Sequence, residues 1–222
     1  MTAGISTELT IEVFALGDFQ TNCFVVARPG GAAWLVDVGQ APGAMLDYID
    51  DAGLNVEKII LTHAHADHVA GLAEAMEKFP GVPVYIHGDE KEFCGDPVLN
   101  LSQFISQPIV APTPTDTLAH GDTLELDGLT FSVRHTPGHS PGGITLVQPE
   151  NAVALVGDTL FAGSIGRFDF PTSDGQTLLK SIHEQLLTLP DNTRVLPGHG
   201  PETTIGQERA SNPYLRQTDL TL

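Results

Sequence analysis

The amino-acid sequence predicts an α/β (α+β) protein folded as a four-layer αββα sandwich in a single domain, 1–222. Two observations carry that prediction. Segments with strand character come in two series, and each series leads to helices with one apolar face. His and Asp residues recur just beyond the ends of those strands, where open α/β sheets place their sites. Two architecturally similar halves, with sheets face to face and helices outside, satisfy both.

The first series begins with Leu-Thr-Ile-Glu-Val-Phe at 9–14, whose apolar-polar alternation marks a half-buried strand. Residues 23–27 form a second strand closed by the Arg-Pro-Gly-Gly turn at 28–31, and 33–36 a third that ends at Asp37. Pro42 can open a helix and Gly53 close it, with Met45, Leu46 and Ile49 on the inner face. The apolar run at 58–61 is a buried strand, and Val69, Leu72, Met76 and Phe79 recur at helical spacing behind it. Residues 83–86 are a further strand. From 94 to 117, Pro, Thr, Ser and Asn break the pattern into a long loop or insertion with a short helical turn. Loops of that length are usually functional or mobile, so this one is a candidate cover for the site.

The second series opens with a hairpin, Asp127-Gly128 joining 123–126 to 129–133. Residues 144–147 and 153–156 are two more strands. Asp174 caps a helix with Leu178, Leu179, Ile182, Leu186 and Leu189 on one face, and 194–196 is the last strand. Beyond Pro201 there is room for a helical turn or tail and not for a second domain.

Composition narrows the function. The 41% apolar and 17% charged content is that of a globular chain with a sizeable core. A formal charge of −18 argues against nucleic acid, which needs a basic surface. No apolar run is long enough to cross a membrane, and residues 1–8 are small and polar, with no signal peptide visible. Cys23 and Cys94 are read as two buried thiols, which points to a reducing, cytoplasmic setting. Oligomeric state is not legible.

The chemistry is concentrated at His63, His65, Asp67 and His68, a His-x-His-x-Asp-His run between a strand and a helix. His63 and His65, two apart on extended chain, point the same way and can share one metal; Asp67 and His68 on the turn can face a second. Three further candidates follow strands of the second half. They are His139 in a Pro- and Gly-rich turn, Asp158 in Val-Gly-Asp-Thr and His199 in Leu-Pro-Gly-His-Gly. Each is weak alone. Together they give seven ligands, too many for one tetrahedral ion with an open position, so two divalent ions are expected. His63, His65 and His139 would hold one, and Asp67, His68 and His199 the other. Asp158 would bridge them, because a carboxylate has two oxygens to share. Asp37 is the candidate acceptor behind one imidazole. His87, His120, His135 and His183 lack this context and are read as structural or exposed.

On the motifs Asp37-Val-Gly, 63–68, His139, Asp158 and His199, the chain closely resembles the metallo-β-lactamase superfamily over nearly its whole length. Within it, the chain looks most like the short single-domain bacterial hydroxyacylglutathione hydrolases (glyoxalase II). That likeness rests on Gly157-Asp158-Thr159-Leu160-Phe161, on Ser-Ile-Gly-Arg-Phe-Asp-Phe-Pro at 164–171, and on the closing Thr-Thr-Ile-Gly-Gln-Glu-Arg at 203–209 followed by Asn212-Pro213. Class B β-lactamases match less well, with a Cys where Asp158 stands. The resemblance implies hydrolysis of a small glutathione-derived thioester of the S-lactoylglutathione type by a hydroxide bridging two metal ions, zinc first, iron or manganese next. It makes Asp67 and Asp158 catalytic and places Arg167 beside the substrate, where a bidentate pair with a carboxylate can form. The helical C-terminal domain by which longer relatives grip glutathione is not expected, and Asp169 stands where those relatives have Tyr. A mononuclear-iron persulfide dioxygenase and a small-molecule lactonase are the alternatives.

Overall fold

The computed structural model describes residues 8–105 and 107–216. The N-terminal residues 1–7, read above as carrying no signal peptide, lie outside the described residues, as do Ser106 in the long loop and the tail at 217–222.

Two six-stranded sheets follow one another along the chain. The first comprises β1 (Thr10–Leu16), β2 (Thr21–Ala27), β3 (Ala32–Val36), β4 (Asn55–Ile60), β5 (Val84–His87) and β6 (Asp116–Leu118), side by side in that order. β1 to β3 pair antiparallel, and β3 to β6 pair parallel. Parallel neighbours require crossovers. α1 (Gly43–Asp51) supplies the first, and α2 (Ala66–Val69) with α3 (Leu72–Lys78) the second. The second sheet holds β7 (Thr123–Leu126), β8 (Leu129–His135), β9 (Ile144–Gln148), β10 (Val153–Gly157), β13 (Arg194–Pro197) and β14 (Thr203–Thr204). A small hairpin, β11 (Leu160–Phe161) and β12 (Ser164–Ile165), leaves its face, and α4 (Gly175–Ser181) and α5 (Ile205–Ser211) complete the chain.

Strand alternation builds the four layers, since successive side chains point to opposite faces. Phe24, Val26, Trp34, Val36 and Ile60 face the second sheet and pack on Leu126, Phe131, Ile144 and Leu155. Their neighbours Cys23, Val25, Leu35 and Ile59 point the other way, onto Met45 and Ile49 of α1 and Leu72 of α3. Trp34 and Phe131, both fully buried, join the sheets with ring centroids 4.9 Å apart. On the outer face of the second sheet, Ala154, Val156 and Val195 are covered by Leu178, Leu179, Ile182 and Leu186. Each Val, Leu, Ile, Met or Phe among these contributes about 1.5–3 kcal/mol on burial.

Three details depart from the sequence reading. The helix expected after residue 68 is two helices, because the backbone at residue 38 takes its hydrogen bonds. Val38 N–H donates to His68 O, and Gly71 N–H donates to Val38 O, each at 2.9 Å. A side chain at Gly71 would strike Gly39 O and Pro42, so only glycine fits the break. The 94–117 segment holds the expected short helical turn at Ser102–Phe104, but its last residues leave the loop and open β6. The helix capped by Asp174 widens into a π-turn at Ile182–Leu186. Among the described residues, no helix is long and apolar enough to cross a membrane.

Candidate metal centre

The seven sequence-predicted ligands come together at one end of the sandwich. His63, His65, Asp67 and His68 follow β4; His139 follows β8, Asp158 follows β10, and His199 follows β13. Both sheets therefore contribute, and the cluster closes where their edges meet.

Two trios of side chains bring ligand atoms within reach of common points: His63 with His65 and His139, and Asp67 with His68 and His199. Asp158 lies between them. Its Oδ2 is 3.5 Å from both His139 Nε2 and His199 Nε2, and its Oδ1 is 3.4 Å from His68 Nε2. Asp67 Oδ2 is 3.1 Å from His199 Nε2 and 3.5 Å from His68 Nε2. His63 Nε2 and His65 Nδ1 face each other at 3.1 Å with their rings nearly perpendicular. Two nitrogens bound to one tetrahedral ion at about 2.0–2.1 Å stand at nearly that separation.

The outer nitrogens are held by acceptors, which fixes the rings. His68 Nδ1 donates to Asp37 Oδ2 at 2.8 Å, His139 Nδ1 to Arg167 O at 2.8 Å, and His199 Nδ1 to Phe19 O at 3.2 Å. That leaves each Nε2 aimed inward. His68 Nε2, His139 Nε2 and Asp158 Oδ1 are buried and have no hydrogen-bond partner. Leaving a buried polar atom unpaired costs about 1–3 kcal/mol, so three at one point describe a place made for a further partner. The donor set, five imidazoles and two carboxylates, suits divalent cations of the zinc and iron kind. The residues fit the ions.

The electrostatics divide the cluster. Burial holds the His63 and His139 rings below their ordinary range and brings His65 down to about 3, so these stay neutral with lone pairs to give. Around His68, burial also favours the neutral ring, but Asp67, Asp37 and Asp158 outweigh it and raise the ring well above its usual value. His199 is raised as well, by a bond to Asp67 and the charge of Asp158, against burial. Burial opposes ionisation of Asp67 and Asp158, yet both stay on the low side because His68 faces them. Carboxylates that hold protons on neighbouring rings are asking for positive charge, and a cation supplies it in their place.

Asp37 is itself built into a costly backbone, at φ +59, with no exposure to solvent. Besides His68, it accepts from Thr62 N and Thr62 Oγ1, each at 2.7 Å. Arg167 sits at the rim with 65% of its side chain exposed, stacked over Phe170, and its fork is engaged by Asp169 at 2.9 and 2.8 Å.

Three supporting residues escaped the sequence reading. Thr21 Oγ1 donates to Asp67 Oδ2 at 2.8 Å. Thr62 ties Asp37 to the loop, as above. Glu90, fully buried, accepts from Ala64 N at 2.6 Å and Gly142 N at 2.7 Å. One carboxylate thus pins the His63/His65 turn to the turn that carries His139. The available signal was the run His-Gly-Asp-Glu at a strand end, the same position the other site residues occupy. His87 and His135, set aside as structural, stack in parallel at 4.0 Å and 10°, with Asp89 beside them. Parallel rings cannot aim two in-plane lone pairs at one ion, which keeps this trio apart from the metal cluster.

A fold of two facing sheets with a His- and Asp-lined cleft at the strand ends defines a class of metal-dependent hydrolases. The chain belongs to the metallo-β-lactamase superfamily, whose family model matches residues 16–199. It is 36% identical, over 93% of its length and 98% of the relative's, to hydroxyacylglutathione hydrolase GloC of Haemophilus influenzae. Among solved structures, it superposes on the BLEG-1 B3 metallo-β-lactamase with a TM-score of 0.90 at 38% identity, covering 94% of this chain and 100% of that one. It also superposes on TTHA1623 in a di-iron-bound form, with a TM-score of 0.78 at 39% identity over 90% and 98%. The distance from β-lactamases that the sequence suggested does not hold for the B3 chain.

Proposed function

We propose that the protein cleaves small thioesters of the S-lactoylglutathione type, with two divalent metal ions, zinc or iron, held by His63, His65, Asp67, His68, His139, Asp158 and His199. The observation that carries this reading is the inward convergence of the His68, His139 and His199 Nε2 atoms on the two oxygens of the Asp158 carboxylate. The ions, when bound, would supply Lewis acidity that activates a water and polarises the carbonyl. The residues do the rest. Asp158, shared by both trios, sets their spacing. Asp67, with a fifth of its side chain exposed to the cleft and Oδ2 fixed by Thr21, orients the attacking water. A water oxygen bonds to the carbonyl carbon, the carbon–sulfur bond breaks, and the sulfur departs with the bonding pair as thiolate, while the water's protons pass by way of the Asp67 carboxylate to solvent in the cleft; no protein nucleophile is needed. The name of the GloC relative supports the thioester. Two free buried thiols suit a reducing cytoplasm, and a charge of −18 suits a protein without a nucleic-acid partner.

The test is S-lactoylglutathione turnover by metal-replete protein, followed as loss of thioester absorbance. Turnover abolished by a chelator and restored by zinc or iron is expected. No turnover with two ions counted in the protein overturns the reading. A second reading, β-lactam hydrolysis, is favoured by the likeness to the B3 chain, and a chromogenic cephalosporin assayed alongside decides between them.

A further inference from the structure

The metal cluster opens into a chamber of about 370 Å³ whose other walls are mostly apolar, chiefly Leu101, Phe104, Ile105, Phe161 and Phe170, with Asn100 and Arg167 as the polar exceptions. Phe104 is 68% exposed, an unusual position for a large apolar side chain. A second chamber, about 310 Å³, adjoins across Phe19, Ile105 and Asp67; it carries Asp18, Gln40 and Gln107. Of the ten Lys and Arg residues, only Arg167 lines either chamber, and its fork is neutralised by Asp169.

Given the thioester reading, which this inference rests on, the scissile carbonyl must lie at the cluster and therefore in the aromatic chamber. A charged or strongly polar acyl side chain placed there would lose hydration with little to replace it, since the Asn100 amide is taken up by Cys94 O, Ile109 O and Ser102 N and the Arg167 fork by Asp169. The amides and ammonium group of a peptide-like thiol find matching partners in Gln40, Gln107 and Asp18, while its carboxylates, which meet no cation there, stay hydrated at the chamber mouth. We infer that the preferred substrates carry an uncharged apolar acyl side chain, aromatic or branched, seated between Phe104 and Phe170. The thiol portion runs past Asp67 into the second chamber, where Asp18, Gln40 and Gln107 stand.

Kinetics of S-lactoylglutathione and S-mandeloylglutathione, which differ by methyl against phenyl on the same 2-hydroxyacyl frame, test this on the metal-loaded enzyme. A pocket contact with a larger apolar group is worth about tenfold or more in kcat/KM, so the mandeloyl ester should lead by that factor. Phe104→Ala, at an exposed position that does not threaten folding, should collapse the ratio toward one. The ratio is the readout, and metal content is measured on both proteins to show that the cluster is intact. A lactoyl ester hydrolysed as well or better, or a mandeloyl preference unchanged in Phe104→Ala, overturns the inference and leaves the thioesterase reading standing. Failure to hydrolyse either ester with a filled site overturns the thioesterase reading itself.

Discussion

Asp37 Oδ2 lies 2.8 Å from His68 Nδ1, and neither side chain has measurable contact with solvent. The pair joins the end of β3 to the metal turn after β4, and it decides which face of the His68 ring looks inward. Partners of this kind orient a ligand without touching the ion.

Replacing Asp37 with Asn keeps a side chain that tolerates positive φ but turns one acceptor oxygen into a donor facing the His68 or Thr62 donors. Metal affinity should fall about 10–100-fold while the fold survives. Competition with a chromophoric chelator measures it; wild-type affinity in Asp37→Asn would show that the contact does not matter.

Asp158→Ala removes the only carboxylate set between both trios. The variant should bind fewer ions per chain and lose about 1,000-fold or more in kcat/KM, in line with loss of a central electrostatic group. Metal counting and kinetics on one preparation test it, and an unchanged ion count would remove the shared role of Asp158.

Glu90→Gln leaves one buried N–H, on Ala64 or Gly142, facing an amide that also donates. A cost of about 1–3 kcal/mol in unfolding free energy is expected. Urea denaturation of the two proteins supplies the comparison, and equal midpoints would mean that the turns hold without this link.

Stability should also depend on His87. Burial and the neighbouring His135 ring push the His87 pKa below its ordinary value of about 6.5. The unfolded chain therefore takes up a proton near pH 6.5 that the folded chain refuses until lower pH. Stability from this residue is complete above 6.5 and is lost as the pH falls toward the native pKa. The wild-type urea midpoint should drop between pH 7 and 5.5, and the drop should shrink in His87→Asn. Equal slopes in both proteins would reject the assignment.

Much of this was legible in the sequence, for stated reasons. Alternation at 9–14 and the β-branched run at 58–61 locate strands because burial on a pleat has period two. The seven candidate ligands are legible because each follows a strand, so the fold gathers what the sequence scatters. Glu90 was marked only by its place after a strand: its partners are backbone amides of distant turns, and backbone carries no side-chain signature. The broken helix at 70–71 was hidden for the same cause, since the competing hydrogen bonds come from residue 38. The engagement of Arg167 by Asp169, two residues on, was legible as a possibility, but its geometry needed the rim of the cleft.

The order of the strands has one more consequence. β1 to β6 end at residue 118 and β7 begins at 123, so each sheet is drawn from its own contiguous half of the chain. A cut in the turn at 119–122 would yield two fragments, one bearing His63, His65, Asp67 and His68, the other His139, Asp158 and His199. Neither fragment owns a complete site, and each exposes one side of the contact between Trp34 and Phe131. The candidate ligand set is thus divided between the two halves of the chain, and it is complete only when both sheets are packed together.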